Sequence, residues 1–272
     1  MSAVRGGVDG EAPAVPGWVF VPAALALTLL VLPVAGLLAR VPWTRLGTVL
    51  GTPMALDALR VSLLTSGVSL VLAVVLGFPL ALVLSRTRGA WTGLARVIAS
   101  LPMVLPPVVA GLALLVTFGR RGLVGQSLSV VGIEIGFTTV AVVLAQTFVA
   151  LPYFVVSVEG ALRTLDVDYE RVAASLGASP GFTLRWVTLP LLAPAVISGA
   201  ALAAARALGE FGATLTFAGS LQGVTMTLPQ AIYLQREIDP DAALALSVVL
   251  LAMAALLLGL TAVMQRWGWR RG

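Results

Sequence analysis

This chain has no cysteine, no histidine and no lysine among its 272 residues, and only 11% of it is charged. Without cysteine there is no disulfide framework and no thiolate nucleophile, and without histidine the commonest general base and metal ligand is missing. All 17 basic residues are arginine, so a phosphate-binding loop of the Walker A type, which requires its lysine, cannot be built. If ATP drives anything here, another chain hydrolyses it. Enzyme chemistry is left with little beyond carboxylates. The net charge of +5 does not point to nucleic acid, because the arginines stand singly at the ends of apolar runs rather than in a patch. They read as determinants of membrane topology.

What is present is apolar: 59% of the residues, with a mean hydropathy of +1.02. That composition belongs to an integral protein of the lipid bilayer, and the expected fold is all-α and polytopic. Trp18 to Ala39 is an uncharged run long enough to cross a hydrocarbon core of about 30 Å, and it reads as a retained first span rather than a cleaved signal. Four further uncharged windows lie between Arg60 and Arg86, Arg96 and Arg120, Glu134 and Glu159, and Asp241 and Arg266. A fifth run, Trp186 to about Phe217, is interrupted by Arg206 and Glu210. Six transmembrane helices are therefore expected in one membrane domain, residues 18–266. Residues 1–17 read as a disordered cytoplasmic tail and 267–272 as a short cytoplasmic C-terminal tail. Counting arginines at short loops favours cytoplasmic termini, with ten on that side against six outside and Arg206 within the membrane.

Between two apolar runs lies a soluble-looking island, 163–190. Asp168 reads as an N-cap, Glu170 suits the first turn of a helix, and Gly177 supplies the left-handed residue that ends one. The spacing predicts a helix over Tyr169–Leu176 whose apolar face is Tyr169, Val172, Ala173 and Leu176, with Glu170, Arg171 and Ser175 opposite. Ser179 and Pro180 restart the chain, and Pro190 marks the junction with the next span. Such a loop is either a docking surface or an interfacial hairpin resting on lipid headgroups, and periodicity does not choose.

Charge inside a span costs roughly 2.5–3.5 kcal/mol even on the mildest scale, so Arg206 and Glu210 need a reason to be there. At i and i+4, with Thr214 one turn on, they are expected to form one stripe on the fifth helix, flanked by the small residues Gly199, Ala203, Gly209, Gly212 and Ala213. The stripe either lines a translocation path or pairs Arg206 with Glu210 inside the bundle. A carboxylate one turn from the arginine cancels the field an anion needs, which favours pairing. Upstream, Leu101 to Pro107 removes backbone donors within the third span. Pro106 and Pro107 are therefore expected to face the bundle interior or to kink the helix.

Four stretches now carry a resemblance. Ala173, Ala174, Gly177, Val187, Leu189 and Pro190 are spaced as in the cytoplasmic EAA loop of ATP-binding-cassette importer permeases. Here Arg171 stands at the glutamate position, and the acid is one residue earlier, at Glu170. The segment Ala205-Arg206-Ala207-Leu208-Gly209-Glu210-Phe211-Gly212-Ala213-Thr214 resembles that of molybdate permeases, as do Thr225 to Tyr233 and Leu101 to Pro107 with Gly111. Sulfate permeases resemble it with Tyr and Ser-Val in place of Phe211 and Ala213-Thr214. The resemblance covers about residues 55–265.

It implies a homodimeric permease in a bacterial plasma membrane, two copies of a separate ATPase that binds ATP and magnesium, and an extracytoplasmic protein delivering molybdate or tungstate. No cofactor is expected in this chain. Tyr169, Glu170, Arg171, Ala173, Ala174, Gly177, Ala178, Ser179 and Pro190 would couple to the ATPase. Arg206, Gly209, Glu210, Gly212 and Thr214, with Pro106 and Pro107, would form the translocation path or the bundle core. Three rivals stand beside this reading: a sulfate importer, an intramembrane hydrolase that lacks the usual activators, and a structural scaffold that would not need the glycine-broken loop.

Overall fold

The computed structural model describes residues 16–269 of the chain and contains no strand among them. Most of the expected N-terminal tail and the last three residues, with Arg5, Arg270 and Arg271, lie outside the described residues. The chain falls into two units divided after Val41. The first contains α1, Phe20–Arg40, entered through a 3-10 turn at Gly17–Val19, and is apolar enough to span a bilayer.

The second unit runs through α2 (Leu46–Leu50), α3 (Pro53–Arg86), α4 (Ala90–Val104), α5 (Pro107–Phe118), α6 (Gly125–Val130), α7 (Thr139–Thr164), α8 (Asp168–Ser175) and α9 (Pro180–Thr183). After a π turn at Leu184–Thr188 come α10 (Leu189–Leu208), α11 (Gly212–Ala218), α12 (Leu228–Ile238) and α13 (Pro240–Trp269). Polar caps open the long helices: the Thr52 hydroxyl accepts from the Ala55 N–H ahead of α3, and the Thr138 hydroxyl accepts from the Ala141 N–H ahead of α7. The last helix continues through 267–269, so the described part of the expected C-terminal tail is helix.

Among the described residues five helical stretches are long and apolar enough to span, and a sixth span exists only if α4 and α5 count as one. They meet at 116°. The kink expected at the proline run of the third span is thus a full bend, and its cause is local. Leu105 and Pro106 each precede a proline, a position where the α conformation is disfavoured, and both are extended, with ψ of 132° and 135°.

α7 is the most interior span, with 56% of its apolar window buried, and α3 and α10 pack along it. Small residues make this contact close: Ala73, Ala81, Ala150, Ala203 and Ala207 are buried around Phe154. A second cluster joins α5, α7 and α11 through Ala110, Leu114, Ala145, Ala213 and Phe217. A third seats α12 on α2, α3 and α13, where the Leu228 N–H donates to Ser62 Oγ at 2.7 Å. The 3-10 turn before α2 is tied to the start of α13 by Arg45, which pairs with Asp239 at 3.1 Å and Asp241 at 2.9 Å.

Candidate functional site

The island between α7 and α10 is built by its own caps. The helix begins one residue earlier than expected: Asp168 is its first residue, and Asp166 is the cap-like group, accepting the Asp168 N–H at 2.9 Å. Asp168 instead pairs with Arg171 at 2.9 Å. At the far end Gly177 has φ +84°, its N–H donates to the Ala174 carbonyl, and the Ala178 N–H donates to that of Ala173. This is a Schellman closure, which needs the left-handed residue. Ser179 Oγ then accepts from the Phe182 N–H at 3.3 Å, and Pro180 opens α9.

The apolar face of α8 points outward, and of the polar face only Glu170 turns in. Tyr169, Val172 and Leu176 are exposed, Leu176 to 82%. Glu170, on the polar face, turns inward. Its Oε1 accepts from Arg86 Nη2 at 2.6 Å and from the buried Thr188 hydroxyl at 2.5 Å, tying α8 to the end of α3 and to the π turn. Arg171 and Ser175 are exposed, Ala173 is half-buried and Ala174 is exposed. Phe182 and Trp186 extend the exposed apolar surface, their ring centroids 6.3 Å apart, with Arg185 stacked over Trp186.

The helix expected to end at Pro190 does not end there. Pro180 to Leu208 is one 29-residue span. Proline has no N–H and crowds the carbonyl four residues back, and the π turn immediately before it takes up the mismatch: the Leu189 N–H donates to the Leu184 carbonyl, five residues back.

The break comes instead at Gly209–Phe211, so Arg206, Glu210 and Thr214 do not share one continuous helical stripe. Glu210 is 1% exposed, one carboxylate oxygen paired with Arg206 Nη1 and the other accepting from the Ala213 N–H at 2.7 Å. The carboxylate therefore holds the end of α10 and the start of α11 together. Thr214 is fully buried, and its hydroxyl has no hydrogen-bond partner among the described residues.

α11 lies against α5 so closely that a Cβ at Gly212 would sit 2.6 Å from Pro107 Cβ, and one at Gly111 would sit 2.8 Å from the Ala213 carbonyl oxygen. Pro107 thus meets the Gly212 stretch as the expected grouping requires. Even so, Pro106 and Pro107 are exposed in the single chain rather than turned to its interior.

Sequence reasoning missed the partners. In the sequence Arg86 and Glu159 mark only the ends of uncharged windows, and Thr188 carries no signal of its own. Glu159 is 5% exposed and pairs with Arg96 at 2.8 Å and Arg163 at 3.8 Å. No periodicity links Glu170 to Arg86 or Glu159 to Arg96, which stand on other helices, whereas the i, i+4 spacing of Glu159 and Arg163 is readable in the sequence. The Thr225 to Tyr233 motif had a readable signal: Gln230, three residues after Thr227, accepts its N–H at 3.2 Å. Gln230 also donates to the Gly219 carbonyl at 3.1 Å, and Tyr233 stacks on Phe211 with centroids 5.0 Å apart.

Comparison with known proteins places this arrangement. Residues 73–268 match the model of the binding-protein-dependent transport system inner membrane component. The molybdenum transport system permease protein ModB of Mycobacterium tuberculosis is 57% identical over 242 residues, covering 89% of this chain and 91% of that protein. The sulfate transport system permease protein CysT of Salmonella typhimurium is 34% identical over 247 residues, covering 89% of each. In fold, the chain matches a bacterial ABC transporter that imports the acidic polysaccharide alginate, with a TM-score of 0.71 and 17% identity over 92% of this chain and 94% of that one.

Proposed function

This chain belongs to the family of binding-protein-dependent transport system inner membrane components, and on that footing we propose that it is the permease subunit of an ATP-binding-cassette importer for molybdate or its close analogue tungstate. It is a multi-pass membrane subunit rather than an enzyme. The observation that carries the substrate is the 57% identity to a molybdenum permease along nearly the whole chain, against 34% to a sulfate permease. Uptake of labelled molybdate by membranes carrying the assembled transporter, with sulfate as competitor, tests it. Sulfate displacing molybdate at equal concentration would move the assignment to the sulfate importers.

In this reading two copies of the chain form the pathway, and two copies of an ATPase that holds ATP and magnesium dock beneath. An extracytoplasmic binding protein delivers the oxyanion, and both termini are cytoplasmic. The exposed Tyr169, Val172 and Leu176 fit an apolar cleft on the ATPase. Glu170 holds α8 in register with both α3 and the π turn, so a push on α8 reaches two membrane elements at once. The second of these continues as one helix to the Arg206–Glu210 junction, where α11 meets α5. Small displacements at the docking loop are thereby delivered to the broken part of the bundle, where the two bent elements, α4–α5 and α10–α11, are able to reorient.

A further inference from the structure

Where the α3–α4 turn meets the end of α7 and the start of α8, a cavity of about 730 Å³ opens. Arg86, Arg88, Arg96 and Arg163 line it. Arg96 and Arg163 share the carboxylate of Glu159, and Arg86 is held by Glu170 at the rim. Arg88 makes no ion pair with any described carboxylate. Four guanidiniums against two carboxylates leave a charge of +2 in a concave site beside the docking loop, at the ends of the apolar helices α3 and α7. Planar guanidiniums bind tetrahedral oxyanions through paired charge-assisted hydrogen bonds, and basic pockets between spans on the cytoplasmic side are suited to anionic headgroups.

We propose that this cavity is a regulatory oxyanion site. It takes a phosphate- or sulfate-like group, borne by an anionic lipid or free in the cytosol, on Arg88 and Arg86. The occupant competes with Glu170 for Arg86. Glu170 keeps its bond from Thr188, so α8 stays attached to the π turn but is released from the end of α3. Occupancy thus sets how rigidly the docking helix follows the membrane bundle. This rests on the reading of α8 as the ATPase-docking element, but the site itself is tested by binding.

The complete transporter, permease with its ATPase, is placed in nanodiscs of neutral phosphatidylcholine, and labelled inorganic phosphate is titrated by equilibrium dialysis. In a parallel arm, discs containing phosphatidylglycerol are examined by native mass spectrometry for retained lipid. Binding in the first arm identifies a free anion, and retention in the second identifies a headgroup. In whichever arm binds, Arg88→Gln is expected to weaken it about tenfold to a hundredfold, the range for losing a charged hydrogen bond. Glu170→Gln, which frees Arg86, is expected to tighten it. Absence of binding in both arms, or binding that neither variant moves, overturns the proposal. Molybdate uptake, measured on the same preparations, reports the transport reading separately, so its loss and the loss of the site are told apart.

Discussion

Single residues decide two things here. Gly177 has open space around it, so a side chain there would be opposed only by its φ of +84°. A left-handed conformation costs an ordinary residue about 1–2 kcal/mol, and Gly177→Val, being β-branched, should cost at least that locally and unwind the Schellman closure. The variant is expected to insert and assemble, and to hydrolyse ATP with little molybdate uptake. Normal uptake per ATP would remove α8 from the coupling path. Glu210 is the second decisive residue. Its carboxylate answers both Arg206 and the Ala213 N–H, and removing the charge leaves a guanidinium in a low-dielectric site. Glu210→Gln and Arg206→Gln should each lower stability by about 3 kcal/mol, and the double variant by less than their sum. Melting curves of the detergent-solubilised complex give the cycle, and additive losses would mean that the two groups do not act together. The i, i+4 spacing made this pair visible in advance. Glu170 was different: its partners, Arg86 and Thr188, come from elements that only folding brings near.

At the scale of elements, proline placement governs where the spans bend. The consecutive residues Leu105 and Pro106, each followed by proline, turn α4 from α5, while the single Pro190 is absorbed by a π turn without a break. A proline run was legible as a disturbance, but its size depends on how many residues in succession are forced out of the helical region. α5 and α11 meet through glycine at Gly111, and Gly111→Val should force them apart at a cost of about 1–3 kcal/mol, read as a lower melting temperature and reduced uptake. At the other end of the bundle, the Ala242 N–H and then Arg45 hold the Asp239 carboxyl below its usual range, while the two aspartates hold the Arg45 guanidinium above its own. A depressed carboxyl stabilises the fold at all pH above its ordinary range and loses that contribution as pH falls through the folded value. The α2–α13 tie should therefore be unaffected near neutrality and weaken only in acid, and Asp239→Asn should abolish this acid-dependent part of the melting profile.

For the whole molecule, the division of labour is the testable matter. The purified chain is expected to hydrolyse no ATP by itself, and to capture the ATPase only while Leu176 and Val172 remain apolar. Leu176→Asp should reduce co-purification of the ATPase by tenfold or more, since about 1.4 kcal/mol separates each decade. Retention at the normal level would place the contact elsewhere. Composition and the uncharged runs by themselves determined an all-helical membrane protein without a Walker A loop, and the resemblance of its motifs to those of importer permeases supplied the role. Bilayer thickness fixes span length, and a missing lysine cannot be supplied by folding. Local capping was legible at Gly177 and Ser179, because caps act within four residues, but not at Asp168, where the helix starts one residue early. Tertiary structure alone decided the inward turn of Glu170 onto Arg86 and Thr188, and the pairing of Glu159 with Arg96 from another helix. Each of these depends on which groups from distant parts of the chain compete for the same donor, acceptor or space, and that competition exists only once the helices have packed.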